Sequence, residues 1–274
     1  MGKFQMPLVL LLTIFFTGCS NAPKREIPEN LVYEAILADD SRALTSFFNS
    51  EFSPAHQDKN GISLLDLAIK YDSLESLQVL ARQDLNLNEG LFRVRSFQAL
   101  EILIKNGADP NVKNSSGDSL VIHYIKNKPD SFVQYIISQG ASLETEDSYG
   151  WKPIFWAASV GSPGVLKELL NRGANPQEKD REGNLPIYYV TDKEKLELLL
   201  EYGYDLNTKN IEGENIFGEI LMKAVANREF EIIEKLLNKG VNPGYRSYGR
   251  GAMDIAERAK DLEMIEFLNK KVPR

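Results

Sequence analysis

The sequence predicts an all-α array of about seven to eight stacked helix–turn–helix units, and three observations carry that prediction. Glycines recur in two interleaved series that share one period. Within each period the apolar residues fall at helical rather than alternating spacing. The composition, 43% hydrophobic and 26% charged, is that of a folded chain able to bury a core rather than a disordered or polytopic membrane one.

Taken in chain order, the amino terminus and Lys3 precede an apolar run from Pro7 to Phe16, small residues follow, and the chain's single cysteine, Cys19, closes the segment. That order reads as a secretory signal, and the run is too short to cross a bilayer as a permanent helix. A lone thiol makes no intrachain disulfide, and redox and zinc chemistry fall with it. Phe16, Thr17, Gly18 and Cys19 resemble the lipobox of bacterial lipoproteins, with Phe16 standing where that family usually has Leu. The resemblance implies cleavage before Cys19, acylation of its sulfur and new amino group, and, through Ser20, sorting to the outer membrane with the protein facing the periplasm. Several acyl chains on one residue make a stable anchor, since each buried CH₂ contributes about 0.8 kcal/mol. The following stretch through Asn30 is polar, holds Pro23 and Pro28 and lacks apolar periodicity, as a tether does. The expected organisation is a cleaved signal peptide at 1–18, a tether with acylated Cys19 at 19–30, and the array at 31–274.

In the array, Gly107, Gly140, Gly173, Gly203 and Gly240 are spaced 33, 33, 30 and 37, while Gly117, Gly150, Gly183, Gly213 and Gly249 are spaced 33, 33, 30 and 36. Two series in step mean one repeated unit. Its form from Asp147 to Gln177, DSYGWKPIFWAASVGSPGVLKELLNRGANPQ, resembles the ankyrin repeat. Lys152, Pro153, Ile154, Phe155, Trp156, Ala157 and Ala158 occupy that family's Thr-Pro-Leu-His-x-Ala-Ala positions, and Gly173, Ala174 and Asn175 its Gly-Ala-Asp. Stretches from Asn60 to Asn88 and from Ser116 to Leu143 keep the periodicity with Asp66 and Ile122 at the His position; 31–57 reads as a divergent first unit and 245–271 as the last.

Two antiparallel helices per unit follow from the spacing. Val165, Leu166, Leu169 and Leu170 share one face of a second helix, and Ala157 and Ala158 let a first helix approach closely. The glycine after each second helix permits a left-handed cap. Three residues are missing between Gly183 and Gly203 and four are extra between Gly213 and Gly240, each close to one turn of about 3.6 residues. The short segment from Asn88 to Gly107 predicts a stunted first helix, with a break or flexible point near Gly90. No unit buries its apolar face alone, so neighbours must supply the core.

A net charge of −7 without a dense basic run excludes nucleic acid as a partner. His56 and His123 are the imidazoles available, in contexts that a loop and a helix filling explain, and no GxSxG, GxxxxGK[ST] or HExxH accompanies them. The sequence therefore predicts no catalytic residues, metal, cofactor or small-molecule substrate, and a binding role toward another protein. The ankyrin resemblance places partner-facing positions at Ser148, Tyr149, Trp151, Ser159 and Val160, and at Ser247, Tyr248 and Arg250 in the last unit. Tyr, Trp and Arg are enriched in interface hot spots. Trp156, beside the alanine pair, is expected inside the array. At the level of architecture this suits an immunity-type inhibitor of a toxin such as a secreted lipase effector; an envelope adaptor or stress-protection factor is the alternative.

Overall fold

The computed structural model describes residues 27–190 and 192–271; the expected signal peptide, Cys19 and most of the tether lie outside them. Those residues form fourteen α-helices, two short 3₁₀ turns and a two-stranded ribbon. The helices pair as α1 (Glu29–Leu37) with α2 (Ser41–Asn49), and α3 (Leu64–Tyr71) with α4 (Leu74–Ala81). A 3₁₀ turn at Asn88–Phe92 then stands before α5 (Phe97–Lys105). Next come α6 (Leu120–Asn127) with α7 (Asp130–Ser138), and α8 (Pro153–Ser159) with α9 (Pro163–Asn171). The second 3₁₀ turn, Pro186–Tyr189, precedes α10 (Lys193–Leu200). The last pairs are α11 (Ile216–Ala226) with α12 (Phe230–Asn238), and α13 (Ala252–Arg258) with α14 (Leu262–Lys271). Counting each 3₁₀ turn as a reduced first helix gives eight repeats.

The contacts divide the chain into two compact units, parting between Val112 and Lys113. In the first, α1 packs on α3, α2 on α4 and α4 on α5, around Val32, Leu44, Leu64, Leu77 and Leu100, all without exposed surface. In the second, α6 packs on α8, α7 on α9, α9 on α10 and α11 on α13, around Phe155, Leu166, Leu199, Phe217 and Ile232. Burying each such side chain contributes about 1.5–3 kcal/mol, which no isolated hairpin could gather. The expected face of α9 is buried, and Ala157 and Ala158 are fully enclosed.

Local chemistry sets the helix ends. Ser96, Ser119 and Ser162 each cap their helix by accepting the backbone N–H three residues on, and Ser63 with Asp66 makes a reciprocal capping box. Gly107, Gly140, Gly173 and Gly240 adopt the left-handed φ expected of them. Gly203 does not: α10 ends at Leu200, three residues before it, whereas α9 ends two residues before Gly173, so the glycine falls past the capping position.

The spacing anomalies map onto helix length. The missing residues reduce a first helix to the four-residue turn Pro186–Tyr189, and the extra ones lengthen α11 to eleven residues. The stunted helix before α5 is the turn Asn88–Phe92. Gly90 within it is no break: it is buried, and a Cβ there would lie 2.7 Å from Ile69 Cδ1. The ribbon pairs β1 (Arg246–Ser247) antiparallel to β2 (Arg250–Gly251) and turns at Tyr248 and Gly249.

Candidate protein-binding surface

Five of the eight repeats begin in a tight turn whose tip is held by one side chain. Asp147 Oδ1 accepts the backbone N–H of Tyr149 and of Trp151, both at 2.9 Å, and Gly150 takes φ +82°. One repeat later Asp180 Oδ1 accepts the N–H of Glu182 (3.0 Å) and Asn184 (2.9 Å). Asp58, Asn114 and Asn210 do the same in their own turns. Asp147 and Asp180 add a second bond: Trp156 Nε1 donates to Asp147 Oδ2 at 2.8 Å, and Tyr189 Oη donates to Asp180 Oδ2 at 2.5 Å. In both cases the aromatic lies nine residues on, so tip and helix start are clasped together. Burial, then this bond, pushes the Tyr189 phenol well above its usual range.

These clasps line up aromatic rings. Trp151 lies 5.0 Å from Trp156 and 4.5 Å from Tyr189, centroid to centroid, and Tyr189 stands perpendicular to Tyr188 at 5.3 Å. A cation covers each end: Lys126 Nζ is 3.7 Å from the Trp156 ring centre and Lys223 Nζ 3.6 Å from that of Tyr188. Trp156 is half-buried, not enclosed as expected: its indole N–H is bonded to the buried Asp147 while Lys126 lies over its ring. Lys152, at the position where the repeat usually caps with Thr, makes no cap; it bridges Glu144 (2.9 Å) and Glu178 (3.0 Å), which raise its pKa.

The positions inferred from the resemblance divide by exposure. Tyr149 is 70% exposed, Val160 57% and Tyr248 85%, and Ser148 and Arg250 are also open. Trp151, Ser159 and Ser247 are half-buried, Trp151 against Phe155, Trp156 and Tyr189, and Ser247 with its hydroxyl on Glu214 at 3.1 Å. Ser148, Tyr149 and Trp151 share one turn, Ser159 and Val160 sit at the far end of α8, and the remaining three surround the ribbon of the last repeat.

Sequence reasoning missed several residues. Ile211, 73% exposed, occupies the tip place of Ser148, two before the glycine, and the glycine register was the signal for it. Tyr188 and Lys223 belong to the irregular repeats, where register fails. Lys195 is 2% exposed, and its ammonium donates to the carbonyls of Gly161 (3.0 Å) and Ser159 (3.2 Å) at the end of α8 and meets Asp192 at 3.2 Å. Beside it, between Pro186–Tyr189 and α11, lies a notch of about 430 Å³. Among the described residues no group of three or more His, Cys, Asp or Glu could hold a metal ion, and no helix is long and apolar enough to cross a membrane.

Comparison with known proteins agrees with this geometry. Residues 92–180 match the family model of ankyrin repeats in three copies. An ankyrin repeat protein of Acanthamoeba polyphaga mimivirus, L371, is 28% identical over 159 residues, 53% of this chain and 20% of that protein. The chain spans 12–20% of the length of the first curated relatives it matches. Among solved structures, a chain in the complex of the Bd0816 predatory endopeptidase from Bdellovibrio bacteriovorus with the immunity protein Bd3460 superposes with a TM-score of 0.56 at 22% identity, covering 68% of this chain and 98% of that one. The ankyrin repeat domain of Bcl-3, an IkappaB family member, gives 0.54 at 21%, covering 70% and 87%. Folds of this kind typically serve as non-catalytic binding scaffolds. With three repeats matched directly over residues 92–180 and the flanking hairpins built on the same plan, the fold is an all-α ankyrin-repeat array.

Proposed function

We propose that this protein is an envelope lipoprotein that binds a secreted hydrolytic enzyme and holds it inactive. The observation that carries the binding role is the face of residues 113–271: tips that expose Tyr149, Ile211 and Tyr248, each on a turn fixed by a side chain or a strand pair, above half-exposed aromatic rings. Aromatic groups on pre-ordered turns lose little freedom on docking, which is how a hot spot becomes affinity. The net charge of −7 steers basic partners in and repels acidic ones.

An enzyme as the partner is supported by the solved complex of an endopeptidase with its immunity protein, in which a chain shares this fold. A rigid surface laid across a catalytic cleft excludes substrate without chemistry of its own. Placement at the periplasmic side of the outer membrane is supported by Phe16, Thr17, Gly18 and Cys19, which would confine the inhibitor to the compartment where such an enzyme arrives.

Affinity capture of the full chain from its own envelope, followed by mass spectrometry and an activity assay, tests the reading. The expected result is one hydrolase whose turnover falls stoichiometrically as purified chain is added. Capture of resident envelope proteins alone, none with an activity that the chain suppresses, would favour the adaptor and overturn the inhibitor. Metabolic labelling with an alkyne fatty acid tests the anchor: label should enter the wild-type chain and be lost in Cys19→Ser.

A further inference from the structure

Two residues before the tip glycine, successive repeats carry Ser148, Arg181, Ile211 and Ser247. At Arg181 and Ile211 that residue lies over the glycine of the preceding tip. Ile211 does so with its backbone, on Gly183, and Arg181 with its side chain, on Gly150: a Cβ at Gly150 would fall 3.0 Å from Arg181 Cζ. Gly150 is buried, although Ser148 and Tyr149 beside it are exposed, and Arg181 Nη1 donates to the Ser148 carbonyl at 3.2 Å. The guanidinium is therefore held against the tip on a platform that glycine alone provides.

Held in this way, Arg181 is exposed and its charge is unanswered. Among the described residues the Ser148 bond is the guanidinium's only hydrogen bond, and no carboxylate comes within ion-pair distance of it. Arg93, Arg172, Arg228 and Arg246, by contrast, each meet a carboxylate of this chain. Glu144, Asp147, Glu178, Asp180 and Glu182, in or beside the two turns, have other partners. Lys152 ties Glu144 to Glu178, the two aspartates hold their own turns and an aromatic each, and Glu182 Oε2 accepts the Asn184 amide at 3.3 Å. Next to Gly150 in the chain, Tyr149 is 70% exposed on the turn that Asp147 fixes. One tip thus offers an open ring and a fixed, planar cation.

We propose that Arg181 is a recognition residue of the binding face: it takes the side-chain carboxylate of an Asp or Glu on a protruding loop of the partner protein, while an apolar group beside that acid packs on Tyr149. The proposal rests on the protein-binding reading and adds the chemistry of the group recognised. A carboxylate meets the open edge of a guanidinium through two parallel hydrogen bonds, and a donor already fixed in place loses little freedom on binding. The net charge of −7 acts on approach and is screened by salt, whereas one carboxylate on one guanidinium is a local contact. A partner that is basic overall and presents one acidic loop meets both conditions.

The test pans a disulfide-constrained random loop library, displayed on phage, against the full chain. Each recovered loop is then titrated as a peptide on wild type and on Arg181→Gln, Arg181→Lys, Tyr149→Ala and Arg42→Gln, the last removing the same charge from an exposed residue of α2. Circular dichroism checks that every variant keeps its helix content. Each loop is also made with its acid replaced by the corresponding amide. Recovered loops should hold Asp or Glu beside a large apolar residue and weaken about tenfold or more on Arg181→Gln. They should bind Arg181→Lys more weakly than wild type, because an ammonium lacks the planar fork, weaken on Tyr149→Ala, and keep their affinity on Arg42→Gln. On the amide loops Arg181→Gln should change affinity by less than about twofold, since the pair is already broken. An undiminished loss on the amide loops would make Arg181 a strut of the turn and overturn the proposal. Loops without an acid, loops that bind Arg181→Gln as they bind wild type, or no recovered loop at all would also overturn it. Loops lost on Tyr149→Ala alone would overturn it while leaving the protein-binding face intact, and loops indifferent to both Tyr149→Ala and Arg181→Gln would remove both.

Discussion

Lys195→Met isolates one buried charge whose role the geometry makes measurable. The Lys195 ammonium closes the carboxyl end of α8, where unpaired carbonyls and the helix dipole both favour a cation. Its bonds to Gly161 and Ser159 are 3.0 and 3.2 Å; the contact to Ala157 at 3.5 Å is at the limit and counts for little. Two hydrogen bonds to a charged donor contribute about 1.5–3 kcal/mol each, or about 3–6 kcal/mol together. Methionine keeps the stem and avoids the cost of taking an ammonium out of water, which offsets several kcal/mol. The net expected loss is about 2 kcal/mol. Both tryptophans of the chain, Trp151 and Trp156, lie on or just before α8, so indole emission during urea unfolding follows that repeat while far-ultraviolet circular dichroism follows every helix. Because a repeat array opens unit by unit, the emission midpoint should fall further than the dichroism midpoint. A loss below about 0.5 kcal/mol in both signals would refute the reasoning, since water would then serve the carbonyls as well as the ammonium does.

At Gly183 the φ of +76° and a Cβ that would sit 3.1 Å from Ile211 N mean that Gly183→Ala strains the backbone and presses on the next turn, where Glu182 O accepts the Ile211 N–H at 2.9 Å. Gly140→Ala, at φ +88° with open space around it, should cost only the backbone strain, about 1 kcal/mol, and Gly183→Ala clearly more in parallel calorimetric scans. The Asp58 carboxyl is held below its ordinary value of 3.8, chiefly by the Ile62 N–H, so its stabilisation is present above pH 3.8 and is lost as pH falls through the folded-state value. Asp58→Asn should match wild type near neutrality, as Asn114 and Asn210 serve in the same turn, and should lose less between pH 3.8 and lower values in a midpoint-against-pH series. Tyr149→Ala and Tyr248→Ala should each leave helix content unchanged and weaken partner binding by about 2 kcal/mol or more if the side chain is a hot spot, read by titration calorimetry. Trp151→Ala is the less clean substitution, because it also removes packing on Phe155, Trp156 and Tyr189.

The repeat was legible because glycine marks turns that only a left-handed backbone closes. Gly117, Gly150, Gly183, Gly213 and Gly249 all take positive φ, and the anomalies in their spacing fell where helices lose or gain a turn. The exposed tips Tyr149 and Tyr248 came from the ankyrin resemblance rather than from the glycine register. Trp156 escaped because hydrophobicity says nothing of an indole N–H nine residues beyond an aspartate able to accept it. Lys195 escaped because a lysine three residues into a helix reads as solvated, and only the neighbouring repeat's unpaired carbonyls draw it inward. Gly203 misled for a related reason: with a turn missing upstream, it slipped one residue past the place where it could cap α10.

The deletion and the insertion are neighbours in the chain, and that adjacency has a physical consequence. In an array where each repeat is held by those beside it, removing a helical turn strips contacts from both neighbours. Lys195 replaces what α8 lost on one side. On the other, the lengthened α11 buries Met222, Ala224 and Val225 near its end, anchoring the helix that stands over the gap. The cleft therefore stays open without the repeats around it coming apart: a collapsed gap would have needed neither a buried ammonium nor a lengthened helix. Regular repeats present helix pairs of similar length, whereas this irregular one combines depth with an aromatic wall.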